Sequence, residues 1–201
     1  MSTEDEAWPT REGRPPAPDA METAVIIPIA SAEAAVSKHR LRFDVAASQG
    51  VPAHVTVLFP FVPPIEVDDE VIARLAAVFA AASPFDCIFD RCAWFGDALL
   101  WLAPDRDQEF RYLTEQVVER FPGYLPYSGV HDDVVPHLTV GESRRGTVDD
   151  LESAERDISG QLPITAHIDH ALLMAGSDQP NSWRTVARLP LGDSRSMTIT
   201  T

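Results

Sequence analysis

The spacing of apolar positions changes along the chain, and each change marks an element. Residues 23–29 (TAVIIPI) are almost continuously apolar and rich in β-branched side chains, the pattern of a buried strand. Pro28 lacks an N–H and places the strand's end near a sheet edge. Residues 31–43 read as a helix capped by Ser31. A strand is expected over 53–58, with the prolines at 60, 63 and 64 breaking regular structure after it. Over 67–82, Val71, Ile72, Leu75, Val78 and Phe79 recur at helical spacing, which defines an amphipathic helix with its apolar face inward.

The pattern then becomes sheet-like, with strands near 85–89, 92–95 and 98–102, the last two joined through Gly96 and Asp97. Residues 107–121 return to helical spacing and bury Phe110, Leu113, Val117 and Phe121. Gly123 and Pro126 open a loop that leads to a short strand over 136–140. A helix over 148–158 and strands over 164–168, 171–174 and 183–189 complete the chain. The fold class is α+β. Residues 1–22 hold four prolines and six acids with few large apolar groups, so little burial offsets their ordering entropy. They read as a flexible acidic, Pro-rich tail, leaving 23–201 as a single domain.

Composition narrows the function. The 201 residues, 45% of them hydrophobic, suffice for one core. An excess of 31 Asp and Glu over 16 Lys and Arg gives a formal net charge of -15, which disfavours duplex DNA or long RNA as partners. Two cysteines, Cys87 and Cys92, cannot supply a disulfide framework and lie in no metal or redox motif. No apolar run approaches the ~20 residues of a membrane span, and the acidic start is unlike a secretory signal. These features lead to the expectation of a cytoplasmic protein, with a monomer as the default.

An internal echo carries the chemistry. PAHVTV at 52–57 returns as VPHLTV at 135–140. Strand alternation points His54 and Thr56 to one face and Val55 and Val57 to the other, and likewise separates His137 and Thr139 from Leu138 and Val140. Two such halves around an approximate two-fold axis would bring both polar faces to one cleft. Paired imidazoles suit proton transfer at a phosphodiester, because one takes a proton from the attacking oxygen while the other protonates the departing one. The threonine hydroxyls can donate to non-bridging oxygens. The scheme needs neither metal nor cofactor.

HVTV at 54–57 and HLTV at 137–140 resemble the paired motifs of the two-histidine phosphoesterase superfamily, specifically the 2'-5' RNA ligase and cyclic phosphodiesterase family. The resemblance extends over roughly 23–191. It implies a bilobal fold in which two similar α/β halves with antiparallel sheets are related by a pseudo-two-fold and flank a central cleft. It also implies catalytic roles for His54, Thr56, His137 and Thr139. Expected substrates are a small nucleotide or RNA terminus carrying a cyclic phosphate, of the 2',3'-cyclic nucleotide or ADP-ribose 1'',2''-cyclic phosphate type. A 2'-5' ligase or phosphodiesterase and a non-catalytic nucleotide-binding module are the alternatives. Many relatives that handle RNA ends carry a basic residue close behind the second motif, where this chain has Gly141 and Glu142.

Arg144 and Arg145, slightly further on, are candidates for phosphate contact. Phe59, Phe61 and Tyr127 flank the motifs and could stack on a base. Lys38, Arg40 and Arg42 form a basic cluster best read as an exposed helix face, with Lys38 and Arg42 sharing a side. His167 and His170, three apart in a strand, would face opposite ways and hold no metal jointly. His131, Asp132 and Asp133 read as a solvated loop. Trp94 and Trp101 are assigned to the hairpin core, and Trp183 to packing of the last strand.

Overall fold

The computed structural model describes residues 19–126 and 134–192. Its elements are β1 (Glu22–Pro28), α1 (Glu33–Phe43), α2 (Val45–Ser48), β2 (His54–Leu58), α3 (Asp69–Ala80), β3 (Phe85–Phe95), β4 (Leu99–Pro104), α4 (Gln108–Arg120), β5 (Leu138–Glu142), α5 (Val148–Ser159), β6 (Ile164–Ile168), β7 (His170–Gly176) and β8 (Arg184–Pro190). All eight strands join one antiparallel sheet in the order β6-β3-β4-β5-β2-β1-β7-β8. β6 lies at one edge and β7 lies next to the other, yet only Asp169 separates them along the chain. The sheet is therefore curled until those regions meet. The Leu191 amide donates to the Asp169 carbonyl at 2.8 Å and ties the end of β8 to this junction.

The four longer helices cover one face of the sheet, while α2 lies at the cavity on the other. α1 packs on β5 and α5, α5 on β3, α4 on β2, and α3 on α4 and β8. Alternation supplies their partners: Val55, Val57, Leu138 and Val140 enter the main core, as do Ile72, Leu75 and Phe79 of α3 and Phe110, Leu113 and Val117 of α4. α5 begins with a capping box in which Thr147 and Asp150 satisfy each other's backbone N–H groups.

Several sequence expectations need correction. β1 is an interior strand rather than an edge, because Pro28 is its last residue, where a missing N–H costs least. Ser31 does not cap α1. It lies in a 3-10 turn over Ala30–Ala32, and the helix starts at Glu33, whose carboxylate accepts from the Ala53 amide at 2.6 Å. The two strands expected over 85–95 are one, kinked by a register shift between Phe89 and Arg91. His167 and His170 belong to different strands, and each pairs with its own acid, Asp86 and Asp169. Of the expected tail, residues 1–18 lie outside the described residues, as do Tyr127, His131, Asp132 and Asp133.

Candidate active site

β2 and β5 are neighbours at the middle of the sheet, with Val55 opposite Leu138. Counting outward along this antiparallel pair sets His54 opposite Thr139 and Thr56 opposite His137. Val55 and Leu138 point into the core at 0% exposure, so the histidines and threonines take the other face. All four line one cavity of about 310 Å³.

The two motifs also share a defect. β1 pairs Val25 with Leu58 and Ile26 with Thr56, leaving Val57 as an extra residue. β4 pairs Leu100 with Gly141 and Trp101 with Thr139, leaving Val140 extra in the same way. Each His-X-Thr is thus followed directly by a β-bulge, which reverses the alternation beyond it. Leu58 and Gly141 turn to the core, while Phe59 and Glu142 turn into the cavity. The freed Val57 carbonyl accepts from the Thr114 hydroxyl of α4 at 3.2 Å.

Both imidazoles are held alike. His54 Nδ1–H donates to the Pro52 carbonyl and His137 Nδ1–H to the Val135 carbonyl, each at 2.7 Å. A carbonyl can only accept, so each ring carries its proton on Nδ1 and keeps Nε2 for a substrate. Their electrostatics differ. Burial, then the nearby Arg40 guanidinium, and finally His137 push His54 down to about 3 against the pull of the Pro52 carbonyl. Burial also lowers His137, opposed by the Val135 carbonyl, but no arginine contributes. The His137 ring lies edge-on to Phe95 at 5.1 Å and to Trp101 at 5.7 Å between centroids.

The cavity walls are unequal. Ala24, Ile26, Val51, Met174 and Trp183 form a small apolar cluster beside β2, joined by Phe59. Trp183 sits on Gly176 so closely that a Cβ there would lie 2.4 Å from its ring, and its Nε1–H donates to the Ser177 carbonyl at 3.1 Å. Beyond these, the wall carries two carboxylates. Asp44 is buried and accepts from Arg40 Nε at 2.9 Å, Arg40 Nη2 at 2.8 Å and the Ala46 amide at 2.9 Å. Glu142 accepts from Arg144 Nε at 3.1 Å and Nη2 at 2.6 Å. Among the described residues, no lysine or arginine lines the cavity.

The structure therefore gathers His54, Thr56, His137, Thr139 and Phe59. Phe61 is 4% exposed and packs on Phe121 and Tyr124 in the core. Arg144 is turned onto Glu142, and neither it nor Arg145 lines the cavity. Lys38 and Arg42 do share a side of α1 and pair with Asp157 and Asp150 of α5. Arg40, expected on an exposed face, is 2% exposed and paired with Asp44. Glu142 and Trp183 reach the cavity although their sequence patterns assigned neither to it. Only the bulge directs Glu142 there, and a bulge leaves no mark in hydrophobic periodicity.

This geometry is that of a two-histidine phosphoesterase. The chain belongs to the 2'-5' RNA ligase superfamily, whose profile matches residues 28–180. Among solved structures it is similar to E. coli LigT complexed with NADP+, at 17% identity and a TM-score of 0.53 over 87% of this chain and 99% of that one. The E. coli LigT complex with 3'-AMP gives 17% and 0.52 over 86% and 99%, and TT0787 of Thermus thermophilus gives 12% and 0.55 over 87% and 100%. At these identities the likeness establishes the fold. A search of curated protein sequences finds no match. Among the described residues, no helix is long and apolar enough to cross a membrane.

Proposed function

We propose that the protein hydrolyses a small or RNA-terminal cyclic phosphodiester, of the 2',3'-cyclic nucleotide or ADP-ribose 1'',2''-cyclic phosphate type, with His54 as general base and His137 as general acid. The carrying observation is the convergence of both His-X-Thr pairs on one cavity at mirrored positions across β2 and β5. The two four-strand halves, β6-β3-β4-β5 and β8-β7-β1-β2, then relate by an approximate two-fold axis through the Val55–Leu138 pair, flanking the cleft as two lobes. The solved 3'-AMP complex of LigT accords with a mononucleotide-sized ligand.

In this reading His54 Nε2 takes a proton from water as its oxygen attacks phosphorus. The bond to one ribose oxygen breaks, and that oxygen receives the proton on His137 Nε2. The histidines end with exchanged protonation states and reset through solvent. Thr56 and Thr139 donate to the non-bridging oxygens, whose charge grows in the transition state. Three features support the assignment of roles. The Arg40 guanidinium disfavours imidazolium at His54. Phe95 and Trp101 lie within cation–π reach of His137. The bound phosphodiester's own negative charge offsets the burial that otherwise keeps His137 neutral.

The test is turnover of His54→Ala and His137→Ala on 2',3'-cyclic nucleotides, with far-UV circular dichroism to confirm folding. Each should lose about 10²- to 10⁴-fold in kcat. On an aryl phosphodiester whose leaving group needs no proton, His137→Ala should recover most of its loss and His54→Ala should not. Recovery by His54→Ala instead would reverse the roles, and wild-type rates in both variants would remove the mechanism. Turnover confined to oligonucleotides would indicate 2'-5' end joining or cleavage. We place the enzyme in the cytoplasm as a monomer, with two free cysteines, a single domain from residue 23 and a tail before it.

A further inference from the structure

The charge arrangement of the cleft reaches further than the mechanism. Both carboxylates that line the cavity, Asp44 and Glu142, are bound by arginines that do not line it. The acids thus face the substrate while Arg40 and Arg144 are held back from it. Burial raises the Asp44 pKa, Arg40 and the Ala46 amide oppose the rise, and the nearby Glu142 adds to it. Glu142 is the more accessible, at 19% side-chain exposure against 4% for Asp44. Opposite it, at the same offset from its motif, stands Phe59, backed by Trp183 at 6.2 Å between ring centroids. At the centre the phosphodiester meets two hydroxyls and two imidazoles, of which His137 alone carries a charge in the mechanism above, enough to match one negative charge. A second phosphate would find no lysine or arginine lining the cavity among the described residues, and would have a carboxylate to repel it.

We propose that the cleft selects cyclic phosphodiesters carrying a single negative charge, with Glu142 excluding substrates that bear a further phosphate and the Phe59–Trp183 side accepting an uncharged, aromatic base. Resting on the phosphodiesterase reading above, this favours 2',3'-cyclic nucleosides with a free 5'-hydroxyl. Within the substrates proposed above it narrows the choice to nucleoside 2',3'-cyclic phosphates, ranking their 5'-phosphorylated forms, RNA ends and the pyrophosphate-bearing ADP-ribose 1'',2''-cyclic phosphate below them. The bulge at Val140 is what makes the selection possible, because without it Glu142 would point to the core.

The experiment compares kcat/KM for 2',3'-cyclic AMP with a 5'-hydroxyl and for the same compound with a 5'-phosphate, in the wild type and in Glu142→Gln. The wild type should prefer the 5'-hydroxyl form by about tenfold or more, mainly through KM, and added salt should narrow the gap. Glu142→Gln should bring the ratio within about threefold, and because the ratio is taken within one variant, any general loss of activity cancels. Equal use of both compounds by the wild type, or an unchanged ratio in the variant, would overturn the proposal. If the wild type turned over neither compound, the phosphodiesterase reading would fail by itself. Calorimetric Kd values for the same two compounds would still decide the charge selection, which stands on weaker binding of the 5'-phosphate form and falls on equal binding.

Discussion

The β2 and β5 sides of the cleft are built on the same local plan and end in opposite chemistry. Each presents a histidine tied through Nδ1 to a carbonyl two residues earlier, then a threonine, then a bulged valine. Past the bulge they part: β2 puts Leu58 in the core and Phe59 in the cavity, whereas β5 puts Gly141 in the core and Glu142 in the cavity. His54 is further marked by the nearby Arg40 guanidinium, itself paired with Asp44, and His137 by Phe95 and Trp101 around it. Symmetry therefore accounts for the two matching histidine–threonine pairs, and asymmetry is what the proposed division into base and acid and the proposed charge selection rest on.

The largest disturbance short of the histidines should come from removing the cation beside His54. Arg40→Met leaves the Asp44 carboxylate buried without its partner and should cost about 3–5 kcal/mol of unfolding free energy. Adding Asp44→Leu should recover much of that loss, since an apolar pair replaces a buried ionic one. Urea midpoints with unchanged slopes would check both, and a double variant no better than the single would show that the pair does not act as a unit. A smaller effect is expected at Gly141, where β2 tolerates Leu58 but β5 has no room. A Cβ there would lie 2.6 Å from Phe43 Cβ and 2.8 Å from Leu151 Cδ2, so Gly141→Ala should cost about 1–3 kcal/mol by overpacking. A thermal scan giving the wild-type Tm would contradict this.

The smallest effect is a difference in pH dependence. Both histidines are lowered in the folded state, so below pH 6.5 the unfolded chain binds protons that the native protein refuses. Their contribution to stability is thus complete above pH 6.5 and falls as the pH drops, for His54 down to about 3. Each can steepen the acid limb by at most about 1.4 kcal/mol per pH unit. His54→Gln should flatten that limb more than His137→Gln, because only His54 has Arg40 beside it. Urea titrations at pH 7.5, 5.5 and 4.5 would reveal equal flattening if the two sides are electrostatically alike.

Much of this design is readable in the sequence, and the reasons for the rest are local. The helices over Asp69–Ala80 and Gln108–Arg120 follow from apolar spacing, and the quartet gathered in the cavity follows from a repeated His-X-Thr in strand context. Arg40 was legible as a cation but not as a buried one, since α1 has a weak apolar face and its burial depends on Asp44 being four residues on. Trp183 gave no sign of lining a cavity, because its place there rests on contact with Gly176, brought near by the β7–β8 pairing. The sheet order was equally hidden. A repeat suggests two halves contiguous in sequence, but β7 and β8 return to the side that β1 and β2 began.

That return has a consequence for how the chain is made. β1 pairs along Glu22–Ile26 with Gly176–Leu172 of β7, a partner that leaves the ribosome only after β3, β4, β5 and β6. Until then Ala24 and Ile26 lack Met174 and Trp183, and the apolar wall of the cavity cannot form. The β3–β4 hairpin closes early and locally, while the β1 side waits for nearly the whole polypeptide. A nascent chain halted before residue 170 would hold both histidines and have no pocket to put them in.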